Sequence, residues 1–190
     1  SSTATLEVYL TELTASLLPC DGTVLVVARY NGMTMLYTPV TAEVHSLDKD
    51  PSIALLTVQC TGGWSFLEGA ITTPGLMGTI HDTPDEKFEL TGDLETVVKT
   101  LITAGQRRTG HPLVILPSSG RGPRVNITGD WETVGEYVAD VLTSTGYVLT
   151  FDGWVPGDPQ PFEDYTLTRP CYVVDLKPYT PRVGLVWSYT

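Results

Sequence analysis

Thr23-Val24-Leu25-Val26-Val27-Ala28-Arg29-Tyr30-Asn31-Gly32-Met33-Thr34-Met35-Leu36-Tyr37 is the stretch that decides the fold class. A β-branched, apolar run follows the turn signal Asp21-Gly22, as expected of a strand. Asn31-Gly32 then provides two residues that tolerate the positive φ of a type I′ turn, so Met33–Tyr37 is expected to return antiparallel.

The pattern continues outward in both directions. Upstream, Thr5-Leu6-Glu7-Val8-Tyr9-Leu10 alternates polar and apolar residues, the signature of a half-buried strand. Downstream, Val40 to Leu47 alternates again, Asp48-Lys49-Asp50-Pro51 forms a polar turn, and Ile53 to Gln59 completes the set. Short strands at this spacing predict a small barrel or a strongly curled sheet.

Two later segments switch to helical period. In Asp93–Ile102, Leu94, Val97, Val98, Leu101 and Ile102 share a face, with Asp93 as the expected N-cap and Gly105 as the expected stop. In Asp130–Leu142, Val134, Tyr137, Val138, Val141 and Leu142 share a face, with Asp130 expected to cap the start and Gly146 to mark the end. Gly135 weakens that helix by about 1 kcal/mol relative to alanine, which points to close packing there. Leu113–Leu116, Val125–Ile127, Tyr147–Phe151, Cys171–Leu176 and Val183–Tyr189 read as further strands, and Val155–Pro161 as a loop. The expected fold is therefore α+β and β-rich: two small barrel-like or curled-sheet domains with two short helices. Thr72-Thr73-Pro74-Gly75 marks the connection between them, giving domains 1–73 and 74–190. The chain starts almost at once in a strand and ends on an apolar one. Both ends therefore read as trimmed, or as paired with something outside the chain.

Composition narrows the function. Hydrophobic residues make up 42% of the 190 residues and charged ones 17%, enough apolar material for a packed core. No apolar run approaches the roughly 20 residues of a membrane helix, and no signal peptide is visible. With 11 Lys+Arg against 22 Asp+Glu the net charge is -11, which argues against direct nucleic-acid binding. The acidity serves solubility, or it marks a partner surface or channel to which DNA should not stick. Cys20, Cys60 and Cys171 are odd in number and widely spaced, so free buried thiols are expected.

The chemical motifs are sparse. His45, His81 and His111 lack metal-ligand spacing, and the His81-Asp82-Thr83-Pro84-Asp85-Glu86 loop reads as solvated acid rather than an ion site. Ser118-Ser119-Gly120 is a polar turn without the GxSxG elbow. Gly120-Arg121-Gly122-Pro123-Arg124 leads into a strand, so it is no phosphate cradle. Its arginines are either solvated or paired with acids of a neighbouring subunit. Trp131, in the first turn of a capped helix, is expected in the core. Trp154, in Asp152-Gly153-Trp154-Val155-Pro156, is an interface anchor, a sugar-stacking residue or a residue folded back onto the core. No catalytic residue, cofactor or metal is expected.

The collinear order of these features resembles the minor tail proteins of actinobacterial siphophages that form the baseplate hub. The resemblance runs from the strand Thr5–Leu10, through Val24–Arg29, Thr38-Pro39-Val40-Thr41 and Leu56–Leu67 with its small-residue turn and short helical piece, to the helix Leu94–Ala104. Its most specific stretch is Gly120–Ile127 leading to Trp131, and Val186-Trp187-Ser188-Tyr189 closes it. The family resembles the central hub of contractile tails, with two small β-rich domains per subunit in a trimeric ring. Its members carry further sequence at both ends, so this chain is a short version or a piece of a larger tail protein.

The resemblance implies a non-enzymatic virion protein of the tail tip, assembled in the host cytoplasm. It would link the tail tube to tip or fibre proteins, with a homo-oligomeric ring, the distal tail protein and the tape measure as partners. Arg121, Arg124, Trp154 and Trp187 are its candidate interface residues. The rival expectations are a receptor- or carbohydrate-binding tail module using Trp154 and Tyr165, and a cell-wall hydrolase using His81, Asp82 and Glu86.

Overall fold

A computed structural model describes residues 3–9, 25–30, 32–47, 50–73, 76, 87–164 and 166–180. Among these residues there are nine strands and three helices, and the fold is α+β and β-rich, as the sequence predicts. Tyr165, Trp187, the 81–86 loop, the 183–189 strand and Cys20 lie outside the described residues.

The N-terminal strands are β1 (Thr3–Tyr9), β2 (Val26–Tyr30), β3 (Met33–Leu47) and β4 (Asp50–Thr61). They form one curled sheet in the order β1-β4-β3-β2. The hairpin expected around Asn31-Gly32 is present: Val26–Tyr30 pairs antiparallel with Met33–Tyr37, and Gly32 has φ +76°. The separate strands expected at Met33–Tyr37 and from Val40 are a single long strand. Its first part pairs with β2, and from Thr38 onward it pairs with β4. The register shifts between Pro39 and Thr41. Proline has no N–H for a ladder, and a bulge is one of the few paired positions that accepts it; the bulge also adds the twist that curls the sheet. Inside the curl, Leu56, Val58 and Cys60 are buried against Ala4, Leu6, Val8, Val26 and Tyr37.

The chain continues through the short α1 (Ser65–Glu68), then β5 (Phe88–Asp93), α2 (Leu94–Thr109), β6 (Leu113–Ile115), β7 (Arg124–Gly129), α3 (Val134–Thr143), β8 (Tyr147–Trp154) and β9 (Cys171–Pro178). β5 and β7 form an antiparallel ribbon. β9 is the central strand of a second sheet, parallel to β6 and antiparallel to β8. The main core joins Leu94, Val98, Leu101 and Ile102 of α2 with Val134 and Val138 of α3 and Tyr172, Val174 and Leu176 of β9. It also takes Leu36 from β3 and Phe66, Leu67 and Ala70 around α1, so it draws on both sides of residue 73.

The helix limits differ instructively from expectation. Asp93 does cap α2, accepting the Thr96 N–H at 2.8 Å. Gly105 does not stop it. A Cβ there would lie 2.9 Å from Val134 Cγ2 and 3.0 Å from Ala70 Cβ, so this glycine allows helix contact. The helix ends at Gly110, left-handed at φ +66°, whose N–H returns to the Gln106 carbonyl at 2.8 Å. α3 is capped by Thr133 rather than Asp130, through a reciprocal capping box with Glu136. Gly135 does mark close packing, since a Cβ there would stand 3.3 Å from the α1 backbone at Leu67 and Glu68.

Candidate functional site

Arg121, one of the four candidate interface residues, is engaged inside its own chain. Glu95 and Lys99 lie one turn apart on α2, and both are buried. Asp175 interrupts the apolar run of the central strand β9 and is also buried. Arg121 reaches in from the loop between β6 and β7 with about a third of its side chain exposed. Lys99 Nζ donates to Glu95 Oε1 at 2.6 Å, to Asp175 Oδ1 at 2.9 Å and to the Pro117 carbonyl at 3.1 Å. An Arg121 guanidinium nitrogen donates to the same Glu95 oxygen at 2.6 Å and also to Asp175. The other Glu95 oxygen accepts from Ser119 N, Ser119 Oγ and Arg121 N, each at 3.0 Å.

Two carboxylates thus meet two cations. Burial alone would push the Glu95 carboxyl upward, but the hydrogen bonds from Arg121 and Lys99 outweigh it and hold Glu95 well below the usual carboxylate range. Asp175 shows the same balance and is also lowered, while hydrogen bonding to Glu95 and Asp175 raises Arg121. Ser118-Ser119-Gly120 is a polar turn, as expected, but its specific work is to receive a carboxylate. The loop is also fastened through its backbone: Leu94 N donates to the Pro123 carbonyl at 2.9 Å and Glu95 N to that of Arg121 at 3.0 Å. The cluster ties α2, this loop and β9 together, with each carboxylate already neutralised from within. It braces the loop against the helix and the strand. The acids with which Arg121 pairs are thus those of its own chain.

The other expected residues are scattered. Arg124 is exposed at the start of β7, paired in register with Asp93. Trp154 ends β8 instead of lying in a loop, and it is 4% exposed. It packs with Leu167, Cys171 and Val173 and donates its indole N–H to the Pro159 carbonyl at 3.0 Å. Of the three expectations for Trp154, the fold-back onto the core is realised. Its ring has no open face for a sugar or a second subunit. Trp131, expected in the core, is 56% exposed. It precedes the Thr133 cap, whereas the buried face of α3 begins at Val134. Cys60 and Cys171 are free and buried, as expected.

Two further features are open to partners. A cleft of about 610 Å³ lies between β3 and β8, lined among others by Met33, Met35, Tyr37, Trp64 and Phe151. Among the described residues the curled sheet ends on β1 and β2, and Tyr9, Val27, Met33, Val40 and Val44 on its strands are exposed. No protein-family model matches the chain, and no curated protein matches it either.

Proposed function

We propose that this chain is a structural module of the tail tip of a long-tailed bacteriophage, a hub-like subunit that acts by assembling into a ring. The observation that carries the reading is the curled sheet, which among the described residues ends on the edge strands β1 and β2 and exposes large apolar residues along its strands. Edge strands present unpaired backbone groups to a neighbour, and exposed apolar side chains beside them are what a subunit contact would cover. In this reading the ring is trimeric and its contacts are heterologous, as cyclic closure beyond a dimer requires. It joins the tail tube, through the distal tail protein, to tip or fibre proteins. The acidic surface faces the tape measure and DNA and limits their adhesion. The protein sits in the virion and is assembled in the host cytoplasm, without catalytic chemistry. Among the described residues no helix is long and apolar enough to cross a membrane.

Light scattering over a wide concentration range tests the proposal. A trimer mass is expected as concentration rises, or on adding the neighbouring tail proteins. A mass that stays monomeric at high concentration with those proteins present would refute it.

A further inference from the structure

β2 and the first part of β3 form a two-stranded ribbon that stands apart from the rest of the curled sheet. β2 pairs with residues 33–37, and β3 meets β4 only from Thr38 onward. Among the described residues β2 pairs with β3 alone. The register shift between Pro39 and Thr41 lies just past the ribbon's base, where the proline offers no N–H to the ladder. A two-stranded ribbon is marginally stable in water by itself, so its supports decide whether it stays in place.

Its base is held by packing. Val26 and Tyr37 lean on the small core inside the curl, and Leu36 is buried over Gly153 of β8. A Cβ at Gly153 would stand 2.8 Å from both Leu36 Cγ and the Thr34 carbonyl oxygen, so the glycine lets β3 lie directly on β8. The far half of the ribbon is gripped by a carboxylate. Arg29 and Thr34 are partners across the ribbon. Arg29 Nη2 donates to Asp158 Oδ1 at 3.1 Å, and Thr34 Oγ1 donates to Asp158 Oδ2 at 2.8 Å. Asp158 is itself fixed in the β8–β9 connection. Val155 N donates to its Oδ2 at 3.2 Å, and its own N–H donates to the Val155 carbonyl at 3.0 Å. Between the ribbon and β8 lies the cleft of about 610 Å³, lined by Met33 and Met35 on one side and by Leu149 and Phe151 on the other.

We infer that the ribbon is a lid on this cleft, hinged at the bulge between Pro39 and Thr41 and latched by Asp158. The latch takes a single rung, with one donor from each strand, so loss of the carboxylate frees both strands together. The Arg29 side chain is 61% exposed, so water and salt weaken the charged half of the latch. Leu36 over Gly153 supplies the apolar contact that draws the ribbon back. A unit with few buried apolar contacts opens locally while the rest of the fold stays closed. The inference goes beyond the tail-tip reading and does not rest on it, because hinge and latch lie within one chain.

Hydrogen exchange of the full chain, read by mass spectrometry, tests the lid together with peroxide oxidation of Met35, a half-buried residue of the cleft. Asp158→Ala removes the latch. Arg29→Gln/Thr34→Val removes its donors and leaves the β8–β9 connection intact. Either variant is expected to raise exchange at residues 26–30 and 33–37 about tenfold and to speed Met35 oxidation, with β5, β7 and α2 exchanging as in wild type. Added salt should quicken ribbon exchange in wild type but not in Asp158→Ala. Unchanged ribbon exchange in both variants, each folded by circular dichroism, would overturn the inference. So would a rise spread evenly over the chain, which marks a brace of the whole fold, or faster ribbon exchange with Met35 oxidation unchanged, which leaves the cleft covered.

Discussion

Replacing Glu95 with glutamine should destabilise the protein far more than so small a change of shape suggests. The glutamine carbonyl can still accept from Lys99 and Arg121, which use one carboxylate oxygen. Its amide nitrogen, however, would face the donors Ser119 N, Ser119 Oγ and Arg121 N. The serine hydroxyl can rotate, but two backbone N–H groups then lose their acceptor, at ~1–3 kcal/mol each. Lys99 and Arg121 would also retain only Asp175 as a charged partner in the cluster. Breaking a buried ion pair from one side costs ~3–5 kcal/mol, in the same range. For a chain of this size, ~2–4 °C per kcal/mol translates that loss into a fall of roughly 6–20 °C in the unfolding midpoint. Thermal and urea unfolding measure it, with Glu89→Gln, at an exposed position of β5, as a control expected within ~0.5 kcal/mol of wild type. Acid titration supplies a second readout. The folded-state values of Glu95 and Asp175 lie below their ordinary 4.5 and 3.8. The stability they contribute is therefore complete above those values and is lost as pH falls through the folded ones. Wild type should lose stability steadily as pH drops below about 4.5, and Glu95→Gln should show a shallower decline. A Glu95→Gln loss under ~1 kcal/mol, or an acid profile parallel to wild type, would refute the account of the brace.

Two other expectations concern different parts of the fold. His111 packs on Phe66 with ring centroids 4.4 Å apart, and burial lowers it from its ordinary 6.5; its stabilising contribution is thus lost as pH falls below about 6.5, and His111→Gln should remove that upper part of the pH dependence in unfolding experiments. Gly122 has φ +91° and a Cβ there would stand 2.7 Å from Leu94 Cβ; Gly122→Ala should cost at least ~1–3 kcal/mol by urea unfolding, whereas Gly146→Ala, at φ +68° with open space around it, should cost less.

The strands and helices were legible because periodicity reports burial directly. Leu94, Val98, Leu101 and Ile102 mark the buried face of α2, and the Asn31-Gly32 turn marks the first hairpin. Long-range placement was not. Gly105 has the residue type of a stop signal, but contact with Val134 and Ala70 decides its role, and no local pattern contains that contact. Phe88–Asp93 is not read as a strand: its apolar–polar alternation covers only Phe88 to Thr91, and its pairing partner β7 lies more than thirty residues on. The ion cluster left partial traces: Glu95 and Lys99 stand one turn apart at the border of an apolar face, and Asp175 is a lone acid within Cys171–Leu176. Those traces could have marked buried charge, but nothing local joins them to Arg121, 26 residues after Glu95. The exposure of Trp131, expected in the core, and the choice among the three expectations for Trp154 depend on similar long-range placement. One precedes the helix that buries its neighbours, and the other ends a strand whose cover comes from Leu167 and Cys171.

The internal role of Arg121 also changes what the net charge means. Lys99 and Arg121 neutralise Glu95 and Asp175 within the fold. Removing that balanced set takes two from the 22 acids and two from the 11 bases, leaving 20 acids against nine bases over the rest of the chain. Copies of such a chain repel one another, and the repulsion between exposed charges fades beyond the ~8 Å Debye length of physiological salt. Self-assembly through sheet edges would then rest on backbone pairing and on apolar residues such as Val27 and Val44, which salt does not weaken. Added salt should consequently favour the oligomer in the light-scattering experiment. An assembly that dissolves as salt rises would count against a contact made by backbone pairing and apolar residues at the edges of the curled sheet.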